Sequence, residues 1–130
     1  MQPLTASDLP AFMERFCGFD DGVLRGATVD LRPGVDRCDL HIEAPDRASP
    51  RGWSNVTIRV LGVSRVHLDR TGRCIEVLTC GLQMFFVAEE VSVFLDADIY
   101  PEVMPDIPEN LAYVTGAGIE WQAEFIQGQV

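Results

Sequence analysis

The chain has 130 residues, 47% of which are hydrophobic, and a formal net charge of −10. This length and composition predict one domain, residues 1–130, with one hydrophobic core. The acidic balance argues against DNA or RNA as a partner, because phosphate backbones require a positive protein surface. No stretch approaches the roughly 18 consecutive apolar residues of a membrane span.

The N-terminus lacks the charged start and apolar run of a secretory signal, so we expect a cytoplasmic protein that does not contact a membrane. The four cysteines, Cys17, Cys38, Cys74 and Cys80, show no CxxC spacing. In that compartment they are expected to be reduced and mostly buried, and their spacing does not indicate a zinc finger. The sequence indicates no cofactor and no oligomeric state.

The charge is distributed unevenly along the chain. Residues 1–73 hold ten acidic and ten basic groups, whereas residues 74–130 hold ten acidic groups and none that are basic. All of the basic residues are arginines, and the last of them is Arg73. An acidic second part can attract a basic protein surface, although it can also serve only to keep the protein soluble.

Residues 5–17 are predicted to form a helix. A single apolar stripe supports this prediction, because its members recur at the spacing of one helix face: Leu9, Phe12, Met13 and Phe16. Gly18 is suited to the residue after a helix, so the helix is expected to end at Cys17. A stripe of aromatic residues and methionine is typical of core packing.

Two strands, 23–31 and 36–43, are predicted to form a hairpin around the Arg32-Pro33-Gly34 turn. In the second strand, Cys38, Leu40 and Ile42 should face the core. Asp39, His41 and Glu43 project on the other side, where they form either a solvated strand face or the ligands of a metal. Residues 44–52 contain two prolines and are expected to form an exposed loop.

Residues 53–69 carry clear strand periodicity, and we expect this stretch to be the central scaffold of the fold. Val56, Ile58 and Val60 alternate with polar residues, so they should share the buried face. Gly62 predicts a bend within the stretch.

Further strands are predicted at 74–78, 82–87, 91–95 and 119–125. The apolar run 82–87, LQMFFV, indicates a strand buried on both sides. In the last strand, Trp121 should be substantially buried. These elements predict a mainly β fold (α+β with one N-terminal helix), with an antiparallel sheet of about seven or eight strands in a sandwich or open barrel.

Residues 100–110, YPEVMPDIPEN, have three prolines and three acids and are predicted to form a stiff surface loop. The Asp96-Ala97-Asp98 stretch before it is similar to a metal-binding DxD pair, but two acids at a strand end are typical of a turn. We expect this acidic region to face a partner. The predicted partner-binding residues are Asp96, Asp98, Glu102, Asp106 and Glu109.

The sequence contains no GxSxG, HExxH or P-loop motif, so no catalytic residue and no enzymatic activity are predicted. Four segments carry a family resemblance: the N-terminal helix, the strand opening at 19–24 (FDDGVL), the stretch 56–63 (VTIRVLGV) and the amphipathic strand ending in Phe125. Together they resemble small β-rich immunity-type proteins of bacterial polymorphic toxin systems. They also resemble related uncharacterised bacterial β proteins. Those proteins often begin the first strand with Phe-His-Asp, where this chain has Asp20 in place of the histidine.

The resemblance implies a non-enzymatic protein that binds and neutralises a cognate toxin, for which an acidic surface facing a basic partner is suited. A second hypothesis is a small-ligand or metal-binding β-barrel in which His41 and His67 face a cavity. A third is a structural or accessory domain that binds no ligand.

Overall fold

A computed structural model describes residues 1–68, 76–78, 81–96 and 112–126. It has ten strands in these ranges, one α-helix, α1 (Leu9–Arg15), and a 3-10 turn at Cys17–Phe19. The strands are β1 Gln2–Pro3, β2 Gly22–Asp30, β3 Arg37–Pro45, β4 Trp53–Leu61, β5 Arg65–His67, β6 Glu76–Leu78, β7 Leu82–Val87, β8 Glu90–Leu95, β9 Ala112–Gly116 and β10 Gly118–Phe125.

The strands form two antiparallel sheets. One has six strands in the order β1-β10-β4-β3-β2-β6, and the other has four in the order β5-β9-β8-β7. Apolar side chains of both sheets share one core, in which Ile58 of β4 and Val93 of β8 have no exposed surface. The prediction of a mainly β fold is confirmed. Within the described part of the chain, the sandwich is the form adopted, with no closed barrel.

The stretch 53–69 is divided between the two sheets. Its first part is β4, which lies between β3 and β10 in the interior of the larger sheet and buries alternate aliphatic residues as predicted. Gly62 follows in the left-handed region, with a φ of +59°, and the chain then enters the smaller sheet as β5. The predicted bend is therefore the point at which the chain passes from one sheet to the other.

A second crossing, between β9 and β10, packs directly against the first. The N–H of Ala117 donates a hydrogen bond of 2.8 Å to the carbonyl oxygen of Leu61. A Cβ at Gly116 would lie 2.5 Å from that oxygen and 2.6 Å from Cγ1 of Val60. The two crossings thus approach each other so closely that no side chain fits at Gly116.

The helix is shorter than the predicted 5–17. The side chain of Asp8 accepts hydrogen bonds from the N–H and hydroxyl of Thr5, which form a turn before the helix begins at Leu9. The helix ends at Arg15, before the predicted end at Cys17, because Cys17 already has a φ of +54° and Gly18 follows with a φ of +67° in the 3-10 turn.

The aromatic stripe of the helix packs against β10. Phe12 and Phe16 are buried, and their rings lie 5.1 and 5.6 Å from the ring of Trp121. Trp121 itself is half-buried. The helix and the smaller sheet therefore both cover the inner face of the larger sheet.

The strand buried on both faces is β8, not β7 as predicted. Every residue of 91–95 is buried, because β8 has a strand on either side and packs against the core. In contrast, β7 lies at the edge of its sheet, so Phe85 and Phe86 are half-buried and Val87 is 58% exposed. None of the helices in the described ranges has the length and apolar character needed to span a membrane.

Candidate functional site

Most of the predicted partner-binding acids, namely Asp98, Glu102, Asp106 and Glu109, lie outside the described residues. Asp96 is described. It follows β8 in the left-handed region, with a φ of +52°, and is half-buried. Its backbone N–H donates a hydrogen bond of 2.8 Å to the carbonyl oxygen of Gly81, which extends the pairing of β7 and β8 by one step.

The face of the six-stranded sheet that points away from the core is polar, and we call it the outer face. Its members on the three central strands alternate with buried residues: Asp39, His41 and Glu43 on β3, Asn55, Thr57 and Arg59 on β4, and Glu120, Gln122 and Glu124 on β10. Directly opposed residues of neighbouring strands lie close enough to interact, so the side chains of this face form cross-strand pairs.

The three residues considered as metal ligands are each engaged with a different neighbour. Asp39 accepts two hydrogen bonds from Arg59, at 2.8 and 3.0 Å, and Glu43 accepts one of 2.9 Å from Arg25. His41 Nδ1 lies 3.4 Å from the hydroxyl of Thr57. In the ranges that the structure describes, no three such side chains are arranged to hold a metal.

The pair formed by Asp39 and Arg59 is held in its charged form. The hydrogen bonds from Arg59 lower the pKa of Asp39, against the opposing effect of burial, and the same bonds raise the pKa of Arg59. Both partners are therefore charged at neutral pH. The carboxylate of Asp39 therefore serves as a fixed hydrogen-bond acceptor for Arg59.

The two histidines lie on different sheets. His41 is on the outer face of the six-stranded sheet, whereas His67 belongs to β5 of the other sheet, where its ring lies 5.9 Å from that of Tyr113. Val66 beside it packs against the core, so His67 projects away from the core. The two histidines consequently do not face a common cavity between the sheets, which the second sequence-based hypothesis required.

A buried carboxylate that the sequence did not indicate lies in the loop after β3. Asp46 has a fully buried side chain and accepts hydrogen bonds of 2.9 and 3.0 Å from Arg15. It also accepts bonds from the hydroxyl of Ser54, at 2.5 Å, and the N–H of Ala48, at 2.9 Å. The stretch 44–52 was expected to be an exposed loop, but β3 extends to Pro45, and this network buries Asp46 and holds the remaining loop against the helix.

A shallow cleft lies beside this network, between β1, the helix and β10. The guanidinium of Arg15 stands 4.8 Å from the ring centre of Phe16 and 5.4 Å from that of Trp121. The cleft, of about 280 Å³, is lined by both Arg15 and Trp121. Since two nitrogens of Arg15 already bond Asp46, we interpret the arrangement as structural.

One local signal in the sequence could have indicated the hydrogen bond between Asp46 and Ala48. An Asp whose side chain bonds the N–H two residues ahead is a common turn former, and Asp46 stands two residues before Ala48 in a proline-containing loop. No signal in the sequence indicates Arg15 as its partner.

Five of the ten acids of the first part pair with arginines, whereas Asp8, Asp20 and Asp21 are exposed and form no ion pair with another described residue. Five ion pairs lie within the first 59 residues: Arg15–Asp46, Arg25–Glu43, Arg32–Asp30, Arg47–Glu14 and Arg59–Asp39. Glu120 is opposite Arg59 in the sheet, but the guanidinium of Arg59 pairs with Asp39 instead.

Three acids of the second part are exposed on the surface that the structure describes. Glu89 and Glu90 lie at the β7–β8 turn, and Glu124 lies near the end of β10. None of the three forms an ion pair with another described residue. The uneven charge of the sequence is therefore also present on the surface that the structure describes.

Comparison of the chain with protein-family models, with curated proteins and with solved structures finds no match. The function is therefore argued from the arrangement of the residues alone.

Proposed function

We propose that this protein is a non-enzymatic protein-binding module that binds a basic partner protein through the acidic surface of its second part, as an immunity-type protein does with its toxin. The observation that supports this proposal is the distribution of ion pairs. Five acids of the first part pair with arginines, whereas Glu89, Glu90 and Glu124 of the second part are exposed and form no ion pair with another described residue.

Unpaired surface carboxylates favour binding to a basic protein for two reasons. They attract the partner over a distance comparable to the Debye length, which accelerates encounter, and they repel acidic proteins. Carboxylates that already accept hydrogen bonds from arginine contribute little further attraction. The proposed partner-binding set includes Asp96 and, outside the described residues, Asp98, Glu102, Asp106 and Glu109.

The test begins with a basic protein captured by the affinity-tagged chain and then purified. Its dissociation constant is measured by calorimetry at several salt concentrations. Reversing Glu89, Glu90 and Glu124 to lysine in one variant, and Glu102, Asp106 and Glu109 in another, is expected to weaken binding at least about tenfold in one or both variants. The dependence of binding on salt should weaken in parallel.

A matched control is Glu14→Lys, which reverses an exposed acid of the first part whose nearest cation, on Arg47, lies 3.9 Å away. Binding by this variant should change far less. The proposal is wrong if both multiple reversals leave the dissociation constant and its salt dependence at their original values.

A further inference from the structure

An exposed tryptophan and a carboxylate that pairs with no described cation stand next to each other at one end of the outer face. Asn55 pairs with Glu124 across β4 and β10, and Trp53 precedes Asn55 by two residues on the same face. The N–H of Ile126 donates a hydrogen bond of 3.2 Å to the carbonyl oxygen of Trp53, so the two strands remain paired to this point. Trp53 and Glu124 are therefore diagonal neighbours, with about 7–8 Å between such positions.

Trp53 does not belong to the core. Its side chain is 39% exposed, and Asn55 and Glu124 beside it are exposed as well. Tryptophan is highly buried on average, because few other side chains offer so much apolar surface. The partner of Trp53 across β3 and β4 is Pro45. An exposed tryptophan beside polar groups is typical of an interface, where tryptophan and arginine contribute a large share of the binding energy.

The arginines of this face are not directed to Glu124. Arg25 bonds Glu43, Arg59 bonds Asp39 with two nitrogens, and Arg37 lies at the opposite end of β3, across from Leu61. The cation that would complement Glu124 and the indole of Trp53 is thus absent from the described part of this face.

The same chain shows how such a pair of groups can hold an arginine. Arg15 lies over the ring of Trp121 and donates two hydrogen bonds to the carboxylate of Asp46. An indole attracts the guanidinium through its negatively charged face, and a carboxylate matches the two parallel N–H groups of arginine. Trp53 and Glu124 offer these same two groups to solvent.

We infer that Trp53, Asn55 and Glu124 form a surface site that holds an arginine side chain of a basic polypeptide partner. The guanidinium stacks on Trp53 and donates hydrogen bonds to Glu124, and the amide oxygen of Asn55 lies within the same site as a further acceptor. Arginine is favoured over lysine because the planar guanidinium both stacks and forms paired hydrogen bonds. This inference rests on the proposed function, since it names where the basic partner is held.

The test uses capped Gly-Arg-Gly-Arg-Gly peptide as the probe, with the corresponding lysine peptide for comparison. Each is titrated into the intact protein labelled with ¹⁵N, and the indole N–H signals of Trp53 and Trp121 are followed by NMR. The arginine peptide should shift the Trp53 signal and leave that of Trp121 unchanged. The lysine peptide should bind about three- to tenfold more weakly.

Two variants examine the two halves of the site. Trp53→Ala and Glu124→Gln should each weaken binding of the arginine peptide about three- to tenfold. Glu14→Gln serves as the control and should bind as the unaltered chain does. Because Trp53 and Glu124 are exposed, the variants are expected to remain folded, which is checked by circular dichroism.

The outcomes separate this inference from the proposed function. If reversal of Glu89 and Glu90 abolishes binding of the arginine peptide while Trp53→Ala and Glu124→Gln do not weaken it, the site is wrong and the acidic protein-binding function stands. If the purified partner binds without dependence on salt or on any of these acids, the proposed function is wrong and the arginine site with it.

Discussion

Arg15 donates two hydrogen bonds, of 2.9 and 3.0 Å, to the carboxylate of Asp46, which lies 31 positions further along the chain. Because Ser54 bonds the same carboxylate, this one buried group joins the helix, the loop after β3 and the start of β4. The loop is also joined to the helix by a hydrogen bond of 3.0 Å from the N–H of Arg47 to the carbonyl oxygen of Arg15. The consequences of breaking this pair differ between its two members.

Removing Arg15 should destabilise the protein more than removing the charge of Asp46. In Arg15→Met the carboxylate stays buried without its cation, which costs about 3–5 kcal/mol of unfolding free energy. In Asp46→Asn the group left behind is Arg15, whose side chain is 31% exposed and can be hydrated, so the cost should be about 1–3 kcal/mol. Urea denaturation of both variants measures these values.

The matched control for this comparison is Glu14→Gln on the same helix. Glu14 is 74% exposed and its pair with Arg47 is long, at 3.9 Å, so its loss should cost less than about 0.5 kcal/mol. An order in which Asp46→Asn is the most destabilising of the three would contradict the assignment of Asp46 as the buried member.

The stability of the fold should decrease in acid because three carboxyl groups have lowered pKa values, those of Asp30, Asp39 and Asp46. Burial raises the pKa of Asp46, but hydrogen bonds from Arg15, Ser54 and Ala48 together outweigh it and lower the pKa. In Asp39 the hydrogen bonds from Arg59 dominate, and the pKa is again below the ordinary 3.8. Asp39 and Asp46 therefore stabilise the fold fully at pH values above their unfolded-state pKa. This contribution is lost as the pH falls through the lower pKa of the folded state.

Thermal unfolding followed from pH 7 down to about pH 2.5 checks this expectation. The melting temperature should be nearly constant above about pH 5 and should fall below about pH 4. Asp46→Asn and Asp39→Asn should each show a shallower fall than the unaltered chain, because neither has the corresponding group to protonate. Equal slopes in all three proteins would show that other carboxyl groups cause the acid sensitivity.

The sequence predicted the larger sheet more accurately than the smaller one. Ile58 and its neighbours on β4 alternate with polar residues because one face of this strand is solvated, and such alternation is visible in the sequence. In the smaller sheet, Phe94 lies outside the core shared by the sheets and yet has no exposed surface. Its ring is covered by those of Tyr113 and Phe85, whose centres lie 5.4 and 5.7 Å away. Which strand lies at the edge of a sheet depends on pairing between distant segments, which no local pattern records.

The candidate sites show the same limit. That Asp39 and Glu43 share a face follows from their spacing, whereas their pairing with Arg59 and Arg25 depends on the register of three strands. The diagonal placement of Trp53 beside Glu124 likewise requires the register of β4 and β10. The sequence could predict which residue types lie on a face, and the structure was needed to establish which of them meet.

Adding a methyl group at Gly116 should destabilise the protein, because the two crossings between the sheets meet there. The new Cβ would lie 2.5 Å from the backbone oxygen of Leu61, which cannot move without disturbing β4. Overpacking of this kind typically costs about 1–3 kcal/mol, which chemical denaturation of Gly116→Ala measures.

Gly26 of β2 provides the comparison. It is also a strand glycine, but a Cβ added there meets nothing within 4 Å. Gly26→Ala should therefore be neutral or stabilising by about 0.5–1 kcal/mol, since alanine loses less conformational entropy on folding. Similar losses in both variants would argue that strand conformation, and not the close approach at Gly116, is responsible.

Cys38 should be chemically inert while the protein is folded. Its side chain has no exposed surface, and burial, together with the negative charge of Asp39, raises the pKa of its thiol to about 11. Only about one molecule in a thousand would then carry the reactive thiolate at pH 8.

Cys17 is half-buried and offers an internal comparison at the end of the helix region. Alkylation with iodoacetamide at pH 8, followed by mass spectrometry of the peptides, should modify Cys17 well before Cys38, and unfolding in urea should remove the difference. Equal rates in the folded protein would show that β3 opens readily, because a thiol inside a stable sheet cannot reach the reagent.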